Sequence, residues 1–332
     1  MFLCFNVLMY MYESIYRKAM TEAWHLVWRN KILWIFGLLS VMIGQFGLGD
    51  FVGKLLYWND KAVHPFYLFS YVSGAVGILP VAMGAKIGII WATLIILLLM
   101  LLAIFISVCA QGALVAAVAD WYKSKKTDKL AVAWHKGVKH FWRVLSLNIL
   151  EKLILGFLLI ILAVAIGGLA DTSVGGLLLI GAIFALIFFG ALITIVVTIY
   201  SIGFVVVENR DLFSAMARGW RLFISHLAVS IELAVLLFFA GWTVLVFAFL
   251  GSFIVFLPSA GLWLLGGALG SSFIMWFGLI VGLILLTVML VGSGAFFNAF
   301  TVSAWIYSFM KMKHTGITSR LVCGLEKLFR RG

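Results

Sequence analysis

Apolar residues in this chain come in long unbroken blocks rather than in a soluble amphipathic rhythm. The blocks span residues 32–49, 87–119, 153–170, 177–207, 226–250 and 272–309, and 87–119 contains no formal charge. A helix rising 1.5 Å per residue needs ~20 apolar residues to cross a hydrocarbon core ~30 Å thick. Each block is thus read as one membrane span. Those at 87–119, 177–207 and 272–309 are longer than an upright span requires, so they tilt or project into water.

The separators are of two kinds. Residues 13–31, 128–148 and 211–224 are basic, aromatic and amphipathic, as expected of helices lying at the headgroup level. Trp24 and Trp28 are four apart and share a helix face beside Arg29. Residues 50–86 carry Asp50, Lys54, Asp60, Lys61 and His64-Pro65 and read as an exposed loop. Within it Phe66–Val72 and Ile78–Met83 are short and apolar, interfacial or re-entrant, with a full extra span as the alternative. Residues 171–176 form a tight connection. Residues 251–270, uncharged and glycine-rich around Pro258, read as a half-inserted segment. A basic tail covers 310–332.

The pattern predicts an all-α integral membrane protein, a single polytopic domain over 1–332. It has six transmembrane helices, arranged as three repeats of an interfacial amphipathic elbow helix plus a transmembrane hairpin. Composition agrees: the chain is 65% hydrophobic and 11% charged, against roughly 45–50% and 25% for soluble domains. Cys4, Cys109 and Cys323 are odd in number and far apart, which specifies neither a disulfide framework nor a zinc site. The start is apolar but lacks a basic region and a cleavage site, so it does not read as a cleaved signal peptide. Met9, Met11 and Met20 are alternative starts.

Charge orients the spans. With six of them, the N-terminus, 120–152, 208–225 and 310–332 fall on one side and hold 21 of the 24 Lys and Arg residues. Lys54, Lys61 and Lys86 fall on the other. The basic side faces the cytoplasm, which places both termini there and the protein in the cytoplasmic (inner) membrane. An odd number of spans would destroy this separation. The net charge of +12 suits anionic lipid headgroups of the inner leaflet.

The elbows align without gaps. Ala19, Ala23 and Trp24 in the first correspond to Ala133, Gly137 and Val138 in the second and to Ala215, Gly219 and Trp220 in the third. The register steps by 114 and then 82 residues. Small residues four apart imply a close helix contact. The lipid-facing set expected here is Trp24, Trp28, Arg29, Lys136, Lys139, Trp142, Arg143, Arg218, Trp220 and Arg221. Interleaved basic and aromatic residues also occur in nucleic-acid sites, but between two spans they fit anionic lipid, and no nucleic acid is expected.

Three stretches carry a family resemblance: W-R-N-K-I-L-W-I-F-G-L-L at 28–39, F-V-V-V-E-N-R-D-L-F-S-A-M-A-R-G-W-R-L-F at 204–223, and A-W-I-Y-S-F-M at 304–310. The chain resembles the integral-membrane domain associated with glycerophosphoryl diester phosphodiesterases, and its stand-alone six-span relatives. The resemblance implies a polytopic helical membrane domain. It implies no hydrolase here, since that activity belongs to a separate soluble barrel.

Four polar residues lie at membrane depth. Glu232 is the sharpest, because a carboxylate there is costly and faces protein, water or a partner. Glu151 takes nearly the same place in the second unit, one position off. Gln111 and Asn298 are expected to make interhelical hydrogen bonds or line a path. The histidines show no metal-ligand spacing, so no metal and no cofactor is expected. With no catalytic constellation, the expected function is non-enzymatic: membrane organisation or scaffolding through anionic-lipid and partner contacts, the partner being another protein or a second copy. The alternative is a transporter or channel-like protein for a small solute or lipid that uses Glu232.

Overall fold

A computed structural model describes residues 15–44, 83–124, 130–168 and 174–314. Expectations for the start, for most of the loop at 50–86, for Lys125, Lys126 and Lys129, for much of the connection at 171–176 and for most of the basic tail lie outside the described residues. The described chain is all helix, without strands: α1 (Ile15–Arg29), α2 (Ile32–Gly44), α3 (Met83–Ser124), α4 (Leu130–Lys139), α5 (Phe141–Gly168), α6 (Val174–Glu208), α7 (Leu212–Ser225), α8 (Leu227–Ala268) and α9 (Ser272–His314).

Five of these, α3, α5, α6, α8 and α9, are long and apolar enough to cross a membrane. Their outer faces carry Leu98, Leu186, Phe247 and Ile254 at 67%, 73%, 70% and 75% exposure. Apolar surface on this scale is untenable in water and is ordinary against lipid tails. The protein is therefore multi-pass. Helix α2 has 13 residues, about 20 Å at 1.5 Å per residue, and the rest of the block at 32–49 is not described.

Each elbow meets its following helix at a single break. Asn30 and Lys31 separate α1 from α2, His140 separates α4 from α5, and His226 separates α7 from α8. An amphipathic helix must lie along the interface and an apolar one must enter it, so the axis has to turn. The breaks keep most backbone bonds: His140 N–H donates to Gly137 O at 3.2 Å, and His226 N–H to Leu222 O at 3.1 Å. At the first break the Trp34 indole N–H donates to Val27 O at 2.8 Å. The second elbow is shorter than expected. Residues 141–148 belong to the long helix α5, because Val144, Leu147 and Asn148 turn inward to the core.

Two boundaries differ from expectation. Residues 251–268 do not form a half-inserted segment: α8 continues through Pro258 as one helix of 42 residues. The neighbour explains this, since α9 packs along its whole length, with Gly278 and Gly282 set against Ser259 and the Ser259 hydroxyl donating to Gly278 O. Helices α8 and α9 are thus about 63 Å long each, joined by Leu269–Ser271, with no charged residue from 233 to 310.

The packed core gathers at the elbow end. It takes Val108–Ala119 from α3, Val196–Val205 from α6 and Ala295–Phe309 from α9. These three helices touch one another, and α2, α5 and α8 pair with them as hairpin partners. Each elbow lies on the last helix of a different hairpin: α4 on α3, α7 on α6 and α1 on α9. Ala19, Ala23, Ala133 and Ala215 are at most 1% exposed, as small contact residues must be. The second elbow approaches most closely at Gly137, whose Cα lies 3.2 Å from where a Cβ on Gly112 of α3 would stand.

Candidate functional site

Cross-helix hydrogen bonds knit the elbow-end core together. Asn148 Nδ2 of α5 donates to Gln111 Oε1 of α3 at 2.7 Å. The Tyr200 and Ser230 hydroxyls join α6 to α8 at 2.8 Å. Asn298 Nδ2 of α9 donates to Gly37 O and Ser40 Oγ of α2, at 2.8 and 2.7 Å. Inside a membrane such bonds contribute about 0.6–2 kcal/mol each, because no water competes for the partners.

A cavity of about 600 Å³ opens among these helices. Gln111, Glu151 and Asn298 all line it, together with Thr198, Thr301 and Trp305. Three of the four polar residues expected at membrane depth thus converge from three different helices. Gln111 and Glu151 are 5% exposed and Asn298 is 3% exposed. The Oδ1 of Asn298 and the Oγ1 of Thr301 are buried without a hydrogen-bond partner. Glu151 Oε1 lies 3.9 Å from Lys152 Nζ, and neither Lys152 nor any other Lys, Arg or His belongs to the lining among the described residues.

The remaining wall is apolar and partly open. Phe189 and Phe239 line the cavity yet are 59% and 61% exposed. The opening lies between α6 and α8, which approach each other at fewer positions than the equivalent pairs α3/α5 and α9/α2. Depth separates the two ends of the cavity. Thr198 is ten residues from Glu208 at the elbow end of α6, and Phe188 is twenty, or about 15 and 30 Å along the helix. On α6 the polar Thr198 therefore lies nearer the elbows and the aromatic Phe188 farther away.

Glu232, the residue singled out from the sequence, does not line the cavity. Ile231, Ala234, Val235 and Phe238 do, and Glu232 sits one position off that stripe, about 100° around the helix. Glu151, expected one position off the place of Glu232, does line the cavity. Asn148 and Ser230, which make two of the cross-helix bonds, are 82 residues apart, a step that sets Glu151 against Leu233. That step is the one relating Ala133 to Ala215, so it was present in the sequence. Asn148, Ser230 and Thr301 went unnoticed because each lies among apolar neighbours and carries no charge.

The elbow residues divide. Lys136 does not face lipid freely: its Nζ is 2.6 Å from Asp120 Oδ2 at the end of α3. Arg143 donates to Asn209 Oδ1 at 2.9 Å and to the carbonyls of Asn209 and Arg210, clamping the turn after α6, where Asn209 has a positive φ of 53°. Arg218 lies 3.6 Å from Glu208, which also pairs with Arg210 and Lys313. All three bases thus contact carboxylates or carbonyls of the chain itself. Arg29, Lys139 and Arg221 are exposed. Trp28, Trp142 and Trp220 are 60%, 75% and 48% exposed beside them. Trp24 and Trp28 stack at 5.9 Å and meet Phe296 of α9 edge-on.

Between the elbow and α5, His140 is held below its ordinary value of 6.5 by burial, then by the positive charges of Arg143 and Lys139. Among the described residues no three His, Cys, Asp or Glu side chains cluster as a metal site. No protein-family model, no curated protein and no solved structure matches the chain. The resemblance to the phosphodiesterase-associated membrane domain therefore stands on its motifs alone.

Proposed function

We propose that this chain is a six-span inner-membrane protein that takes an amphiphilic molecule from the bilayer into its central cavity, to bind or move it. The observation carrying this reading is the cavity itself. It is of ligand size, it opens sideways through exposed aromatic residues, and it gathers buried Gln111, Glu151 and Asn298 at one end. Buried polar groups without partners are costly in hydrocarbon, so a cluster of them beside an apolar wall matches a molecule with a polar head and an apolar body.

Three elbow-and-hairpin units account for the architecture. What supports them is the cyclic pattern: every elbow lies on the last span of the preceding unit, and each of those spans is hydrogen-bonded to the first span of the next unit. The cavity arises where the third repetition is looser, between α6 and α8. The charge separation places the elbows and both termini in the cytoplasm.

The test is purification of the full chain from membranes in mild detergent, followed by mass analysis of bound lipid. One amphiphile per chain is expected, and Ala234→Phe, which fills the cavity, displaces it. A wild-type chain and an Ala234→Phe variant with the same bound lipid would overturn the reading. A second role, membrane organisation through anionic headgroups, is favoured by exposed Arg29, Lys139 and Arg221 beside Trp28, Trp142 and Trp220, and is compatible with the first.

A further inference from the structure

We propose that the occupant of the cavity is a single-chain amphiphile whose head donates hydrogen bonds and carries no negative charge. This rests on the cavity-binding reading above and adds the chemistry of the ligand. Of the two unpartnered buried atoms in the lining, one is an acceptor and the other a hydroxyl. Asn298 Oδ1 is unpartnered in a residue 3% exposed, and its amide nitrogen is already committed to Gly37 O and Ser40 Oγ. The Thr301 hydroxyl, one helical turn along on α9, is unpartnered as well and takes either role. Glu151 adds a carboxyl on the facing helix α5.

An anionic head fits this lining poorly. No Lys, Arg or His among the described residues lines the cavity to neutralise it. A phosphate or carboxylate taken from the headgroup region would lose its water and meet the Glu151 carboxyl and the Asn298 amide oxygen, with only neutral donors such as the Gln111 amide and the Thr198 and Thr301 hydroxyls to offset them. In a low-dielectric site that juxtaposition is strongly unfavourable. A hydroxyl or an ammonium donates into the same atoms. Volume argues for one chain: about 600 Å³ lies in the range that drug-sized ligands fill. The opening between Phe189 and Phe239 lets the chain extend toward the bilayer.

The experiment uses the full-length protein in detergent with three probes sharing one hydrocarbon tail: oleyl alcohol, oleylamine and oleate. Binding is read by native mass spectrometry, and folding of every variant by size exclusion. The alcohol and the amine are expected to bind one per chain, with oleate at least ~10-fold weaker, a difference of about 1.4 kcal/mol. Thr301→Val weakens both bound probes. Glu151→Gln weakens the amine selectively and leaves the alcohol nearly unchanged. Ala234→Phe abolishes all binding. If oleate binds as well as the alcohol and Ala234→Phe still blocks both, the headgroup assignment falls while the cavity reading survives. If no probe binds, or binding ignores Ala234→Phe, the cavity reading falls with it.

Discussion

Replacing Gly137 by alanine tests the packing on which the elbow arrangement depends. A methyl group there would collide with Cys109 O of α3, and it would stand 2.9 Å from Ala113 N and 3.1 Å from Ala113 Cβ. Two of these are backbone atoms of a long helix, which cannot swing aside as a side chain can. Overpacking of this kind costs about 1–3 kcal/mol. Against it stands the helix preference for alanine over glycine, about 0.8–1 kcal/mol. The net expectation is a loss of up to ~2 kcal/mol. Gly219 occupies the matching place in the third elbow, but there the nearest atom is Ser201 Oγ at 2.6 Å, with Ser201 N and Val197 O at 3.2 Å. A hydroxyl can rotate, so Gly219→Ala costs less. Gly156 has nothing within 4 Å, and its alanine variant keeps only the helix gain. Thermal unfolding in one detergent should rank the variants Gly156→Ala, Gly219→Ala, Gly137→Ala from most to least stable. A Gly137→Ala protein as stable as Gly156→Ala would refute the close contact of α4 with α3.

Asn298→Leu removes both bonds from α9 to α2 and should cost about 1–3 kcal/mol in thermal stability, with Ser40→Ala losing less. Asp120→Asn breaks a half-exposed pair with Lys136, so a loss of about 0.2–1 kcal/mol that fades in high salt is expected on salt-dependent melting. His140 binds its proton less readily when folded than when unfolded, so its contribution is complete above pH 6.5 and declines as pH falls below that value. Melting temperatures between pH 7.5 and 5.5 should drop for the wild type and drop less for His140→Gln. Glu232→Gln should keep the fold in size exclusion and Glu232→Lys should not, since the lysine puts a charge of opposite sign in the carboxylate's place inside α8; equal stability of the two would sink that expectation.

Sequence reasoning located the membrane helices because charge-free length is a one-dimensional property, and α3, α6 and α9 follow it closely, whereas α5 starts before its block and α8 runs on past the end of its own. The elbows were legible for the same reason, being short amphipathic stretches before each block. Pro258 misled, since a proline in a glycine-rich stretch resembles a half-inserted turn. Only the partner helix α9 shows why α8 continues. The cavity was half legible. Gln111, Glu151 and Asn298 stood out one by one, yet their convergence depends on how three hairpins close around one another. Glu232 was favoured by its charge and displaced by geometry: one residue of register moves a side chain to another helix face, and a sequence alignment loose by one position cannot tell the faces apart.

The long hairpin of α8 and α9 also constrains how the chain is built into its membrane. Leu269–Ser271 at its tip carries no charge, and none occurs in either arm between Glu232 and Lys311. During synthesis the insertion machinery therefore meets no signal inside the hairpin to retain or release either arm. Its orientation is decided at its two feet, by Arg218 and Arg221 before it and Lys311 and Lys313 after it. Apart from its first turns, where Ser230 meets Tyr200 of α6, most of α8 finds its packing partner only in α9, so the two arms depend on each other.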